Sequence, residues 1–76
     1  MSAGQEWTDR TKRFMKAELK RRDVTYEELA RRLNEMGMEE TKASVASKLS
    51  RGGFTAAFFL ASMKAVGCPS VRMDDV

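Results

Sequence analysis

The sequence predicts an all-α domain, a compact bundle of four to five short helices, and three observations carry that expectation. Apolar residues recur at three- and four-residue spacing in successive blocks. Each block follows a threonine suited to capping, and the later blocks end at glycine. One proline and five glycines are too few for the turn-dense pattern of a small sandwich or barrel. With 76 residues and 42% hydrophobic content, the chain has material for one small core. It divides into a flexible N-terminus over 1–7, a helical domain over 8–69 and a C-terminal tail over 70–76 with no recognisable element.

The first helix is expected to start at Thr8 as N-cap and to run to about Arg22, with Phe14, Met15, Ala17 and Leu19 as its apolar positions. Its cationic end at residues 20–22 suits the negative pole of the helix. Thr25 opens the second helix, and Glu28, three residues on, completes a capping box. Tyr26, Leu29, Ala30 and Leu33 form one buried stripe, with Ala30 letting the next helix cross closely. Outside it, Glu27 with Arg31 and Glu28 with Arg32 are spaced as ion pairs worth about 0.2–0.5 kcal/mol each. Gly37 supplies the left-handed stop.

Thr41 caps the third helix, whose inward residues are Val45, Ala46 and Leu49, and Gly52 and Gly53 end it. So weakly apolar a helix must be held by its neighbours, leaving its free face in water or on a partner. The fourth helix opens at Thr55 and ends at Gly67, with Phe58, Leu60 and Met63 assigned to the core. At least one of the adjacent Phe58 and Phe59 falls off the main seam, the sequence's hint of a homodimer through helix 55–66. Met15, Met36, Met38, Met63 and Met73 are read as packing residues.

Net charge is +3, unevenly spread. Seven basic residues (Arg10, Lys12, Arg13, Lys16, Lys20, Arg21 and Arg22) face only Glu18 in the same stretch. The chain has no histidine, and its carboxylates fall into exposed helix pairs, so no enzyme, metal or cofactor is expected. Cys68 is alone and is read as buried and structural, which excludes an intrachain disulfide and fits a reducing cytoplasm. No segment has the pattern of a signal peptide or the length of a membrane span.

The most informative stretch runs from Thr25 to Gly53, two short amphipathic helices around a glycine, which is the layout of a helix-turn-helix. Together with the basic first helix, VTYEELARRLNEMG, the polar TKASVASKLSRGGF and the final AAFFLASMKAVG, it resembles the lambda-repressor-like helix-turn-helix domains of bacteria and phages over roughly Phe14 to Cys68. The resemblance implies that helix 41–51 is a recognition helix in the major groove of double-stranded DNA, with Lys42, Ser44, Ser47, Lys48 and Arg51 facing it and Thr25 and Tyr26 against a phosphate. The protein would then be a small transcriptional regulator. Two features depart from the family pattern: Tyr26 replaces the glutamine usual after the cap, and the connection around residues 34–40 is two or three residues longer. Glu39 and Glu40, if turned outward there, would repel phosphate, and they favour an alternative: a protein-interaction domain of the same fold without DNA binding.

Overall fold

Four α-helices, α1 (Ala3–Arg21), α2 (Tyr26–Glu35), α3 (Lys42–Arg51) and α4 (Ala56–Val66), followed by a 3-10 turn at Met73–Asp75, make up the computed structural model, which describes residues 2–76. No strand occurs among the described residues. The all-α expectation is therefore met. A radius of gyration of 11.9 Å is close to the ~11 Å expected of one compact unit this long.

Helix α1 starts earlier than the sequence pattern suggested. Ser2, not Thr8, is the N-cap, its hydroxyl accepting the Gln5 N–H at 3.1 Å. Thr8 instead lies within the helix and donates its hydroxyl to the Gly4 carbonyl at 3.0 Å, the back-bonding open to a threonine once a helix has formed around it. The added turns are tied by Gln5 to Asp9 and by the Arg10 guanidinium, which stacks 4.2 Å over the Trp7 ring. At the other end Asp23 takes the left-handed conformation, φ 57°, and the Val24 N–H closes back on the Leu19 carbonyl at 2.9 Å.

Helices α2, α3 and α4 begin at the predicted caps: Thr25, Thr41 and Thr55 each accept a backbone N–H at 3.0 Å. The complete capping box belongs to α3, where Ser44 Oγ also accepts the Thr41 N–H. Thr25 makes only half a box, because the Glu28 carboxylate turns to Arg31 and Arg32 instead. For the same reason Arg31 pairs with Glu28 and Glu35 and not with Glu27.

The core gathers Phe14, Met15 and Leu19 of α1, Leu29, Ala30 and Leu33 of α2, Val45 and Leu49 of α3, and Phe58, Met63 and Val66 of α4. Helix α2 packs on both α3 and α4, and α1 packs on the same two helices. Three expected core members lie elsewhere: Leu60 is 63% exposed, and Met36 and Met73 are also exposed. Ala46 and Cys68 are half-buried, and the Cys68 thiol donates to the Ser70 carbonyl. The C-terminal tail is more ordered than expected. Val71 and Val76 pack against the core, and Arg10 donates twice to the Val76 carbonyl at 3.2 and 2.8 Å.

Gly52 shows why α3 stops where it does. Its φ of 74° is the left-handed form, and a Cβ there would lie 2.7 Å from Thr8 Cγ2 and 3.2 Å from Lys12 Cδ. Glycine thus both ends α3 and lets that end rest against α1.

Candidate nucleic-acid interface

Val45 and Leu49 are fully buried and fix which side of α3 faces the core. The opposite side carries Ala43, Ser47, Ser50 and Arg51, all exposed, with Lys42 exposed at the first position. Short side chains bracketed by a lysine and an arginine leave the backbone approachable and provide donors to acceptor groups.

The candidate residues divide into two groups. Lys42, Ser47 and Arg51 are exposed on α3, and Thr25 is exposed at the start of α2 although its hydroxyl already serves as a cap. Tyr26 is half-buried against the core. Ser44 and Lys48 are engaged inward: the Ser44 hydroxyl lies 2.6 Å from Glu40 Oε1, and the Lys48 ammonium is bonded to Glu40 Oε2. The same ammonium sits 4.8 Å from the centre of the Phe58 ring.

Glu40 is accordingly not an outward charge facing the reading surface. Its side chain is 4% exposed. Burial pushes the Glu40 carboxyl upward, but the bonds from Lys48 and Ser44 outweigh it and hold the group below the ordinary carboxylate range. The backbone on either side of that carboxylate is fixed as well. The Asn34 side-chain amide donates to the Glu40 carbonyl at 2.9 Å and its oxygen accepts the Glu40 N–H at 3.0 Å. The long connection between α2 and α3 is thus clasped from both sides, and Glu39 is its one exposed acid. Sequence reasoning missed this cluster, although Glu40, Ser44 and Lys48 recur every four residues and so fall along one side of a helix and its lead-in.

The start of α2 differs electrostatically from the start of α3. Glu27 and Glu28 stand in the first turn of α2, whereas α3 has no acid in its first turn. Hydrogen bonds from Arg31 and then Arg32 hold the Glu28 carboxyl down to about 2, and Arg31 is raised above its usual value by Glu28 first and then Glu35. Glu27 is exposed and is in no ion pair among the described residues. Of the two helix starts, that of α3 is the better suited to an anion.

The cations of α1 are largely occupied by the fold. Arg10 holds Val76, and Lys12 donates to the Ser50 carbonyl at 3.1 Å. Arg21 and Arg22 pair with the buried Glu18, and Arg22 also donates to the Gly67 carbonyl at 2.9 Å. Arg32 of α2 likewise donates to Ala65 near the end of α4. Positive side chains therefore satisfy carbonyls at the C-terminal ends of α3 and α4, where both the hydrogen bond and the helix dipole favour them. Arg13, Lys16 and Lys20 are exposed and make no ion pair among the described residues.

Fold and surface together define a small all-α domain in which the outer face of α3, small and polar, is open. The chain belongs to the family described as a domain of unknown function, DUF6471, whose model matches residues 7–71. No curated protein and no solved structure matches it. Among the described residues no helix is long and apolar enough to cross a membrane.

Proposed function

We propose that this protein is a DNA-binding module without catalytic activity, a small bacterial transcriptional regulator that reads the major groove with α3. The observation that carries the reading is the outer face of α3, where Ala43, Ser47 and Ser50 keep the helix slim between exposed Lys42 and Arg51. A major groove about 12 Å wide admits such a helix, and lysine and arginine donate to guanine acceptors or phosphates there. The inward turn of Glu40 supports the reading, because the buried carboxylate is neutralised by Lys48 and leaves Glu39 as the exposed acid of the connection. Within this reading Lys42, Ser47 and Arg51 make the groove contacts, Thr25 lies near a phosphate, and Ser44 and Lys48 set the pose of α3. The resemblance to lambda-repressor-like domains favours the same assignment.

Helix-turn-helix dimers space their two reading helices one DNA turn apart, about 34 Å, and the proposed homodimer joins two copies through helix 55–66. Exposed Leu60 on α4 supports that arrangement. A second reading, an interaction domain for another protein, is favoured by a shallow apolar groove of about 360 Å³ lined by Trp7, Phe54, Phe59, Val71 and Met73.

The deciding experiment is selection from a randomised duplex pool at low and near-physiological salt, followed by sequencing of the retained DNA. A shared motif is expected, and Arg51→Ala should weaken its binding by about 1–3 kcal/mol if the guanidinium contacts a base. Failure to retain any duplex at low salt excludes the DNA reading in favour of protein partners.

A further inference from the structure

We infer that Arg13, Lys16 and Lys20 form a phosphate-contacting strip for double-stranded DNA, starting where the C-terminal end of α3 meets α1. This rests on the reading of α3 as the helix in the groove and adds a second element to that interface.

The first support is the division of labour among the cations of α1. Arg10, Lys12, Arg21 and Arg22 are bound to carbonyls or to Glu18, whereas Arg13, Lys16 and Lys20 have no such bond among the described residues. Their three- and four-residue spacing puts them along one side of the helix. The single acid between them in the chain, Glu18, is turned inward and 5% exposed, while Ala17 is exposed beside them. Asp9 and Glu6 lie N-terminal to the strip, and Asp9 is drawn toward Lys12 at 3.9 Å. What remains from Arg13 to Lys20 is a run of about 10 Å, at 1.5 Å rise per residue, whose exposed charged side chains are all basic, with Asp75 of the tail lining the same cleft as Arg13 and exposed Asp23 three residues beyond Lys20.

The second support is where that run begins. Lys12 holds the Ser50 carbonyl, and Gly52 rests against Thr8 and Lys12, so the last turn of α3 is seated on α1 immediately beside Arg13. Exposed Arg51 stands at the same junction. A helix lying in the major groove has a phosphate strand on each side, and an element abutting the end of that helix meets one of them. B-DNA carries one charge per ~1.7 Å of axis, so a 10 Å run of cations faces several phosphates.

The test compares the full chain with Lys16→Gln/Lys20→Gln, both exposed positions where glutamine preserves helix propensity. Affinity for a short mixed-sequence duplex is measured across a salt series. Loss of two phosphate contacts should make the slope of log affinity against log salt shallower by about 1.8, at ~0.9 per contact. Lys64→Gln, which removes an exposed charge on α4, should leave the slope unchanged. An unaltered slope in the double variant, with the parent still binding, overturns the strip and leaves the reading of α3 intact. An equal per-charge loss in Lys64→Gln also overturns it, because net charge alone would then account for the effect. Absence of binding by the parent at every salt concentration overturns both proposals together.

Discussion

Helices α3 and α4 share a local plan: each opens on a threonine that accepts the N–H three residues on, each ends on a glycine of positive φ, and their lengths are 10 and 11 residues. They are held by different chemistry. Helix α4 puts Phe58, Met63 and Val66 into the core, with Phe54 tilted against Phe58, Phe59 tilted against Phe14, and Phe54 and Phe59 stacked on each other. Helix α3 contributes only Val45 and Leu49 to that core; its C-terminal end is held by Lys12, and its start by Glu40, which draws Ser44 and Lys48 inward while Asn34 grips the Glu40 backbone. One buried carboxylate thus replaces much of the apolar area that would otherwise fix α3 in place. The outer face is then free to be small and polar. The apolar solution has the opposite side effect, since α4 carries more apolar residues than the core can cover and leaves Leu60 in water.

The two anchors should fail by different amounts and under different conditions. Phe58→Ala has the largest expected effect, a loss of about 3–5 kcal/mol in denaturant titration, because it removes a side chain 1% exposed and leaves a cavity. Lys48→Ala comes next, at about 2–3 kcal/mol near pH 7; it leaves a buried carboxylate unpaired, though Lys48 is one-third exposed and water can replace part of it. The folded Glu40 carboxyl lies below its ordinary value of 4.5, so its contribution is complete above that pH and is lost as the pH falls through the lowered value. Glu28, held at about 2, loses its contribution over the interval from 4.5 down to 2. The Lys48→Ala penalty should therefore shrink on acidification while the Phe58→Ala penalty does not. A Lys48→Ala variant as stable as the parent at neutral pH would mean that Glu40 does not depend on this lysine.

Much of this contrast was legible in the sequence, but not all of it. The threonine caps, the glycine stops and the stripe of Leu29, Ala30 and Leu33 come from local rules that act within one helical turn, and they stand as expected. The start of α1 is not fixed by capping preference alone, since both Ser2 and Thr8 are suitable cap types, and the turns between them carry the Trp7–Arg10 and Gln5–Asp9 contacts. The exposure of Leu60 is not legible, because a helix apolar around most of its circumference does not reveal which side the neighbours cover. The surface of α3 was half legible. Val45 and Leu49 set its orientation, but the pairing of Lys48 with Glu40 is a tertiary choice that separates anchoring cations from free ones. The cations of α1 divide in the same way, since the carbonyls of Ser50, Gly67 and Val76 come from distant parts of the chain.

Within α4 the apolar anchor also contains a flaw that can be removed. The Ser62 hydroxyl is fully buried and has no hydrogen-bond partner, the single such side-chain group among the described residues. A buried hydroxyl without a partner loses its hydration and gains nothing in return, so Ser62→Ala should raise stability by about 1 kcal/mol. The same titration that measures Phe58→Ala detects it. A loss of stability on this substitution would show that Ser62 has a partner, such as a bridging water, and that the α4 anchor is not purely apolar.

The smallest expected effect on the isolated fold is at Leu60. Exposed as it is, its replacement by glutamine should change the monomer's stability by less than about 0.5 kcal/mol. The informative readout is association. If helix 55–66 joins two copies, Leu60→Gln should shift sedimentation of the protein toward the monomer at concentrations where the parent is dimeric, with helix content unchanged. A parent that sediments as a monomer at every concentration removes the dimer from the proposal and leaves Leu60 as surplus from an apolar helix. A parent dimer that the substitution leaves intact puts the interface elsewhere, with the apolar groove beside Trp7 and Met73 as the next surface to mutate. In either case the contrast with α3 becomes sharper, because the outer face of α3 carries no large apolar side chain whereas that of α4 carries Leu60.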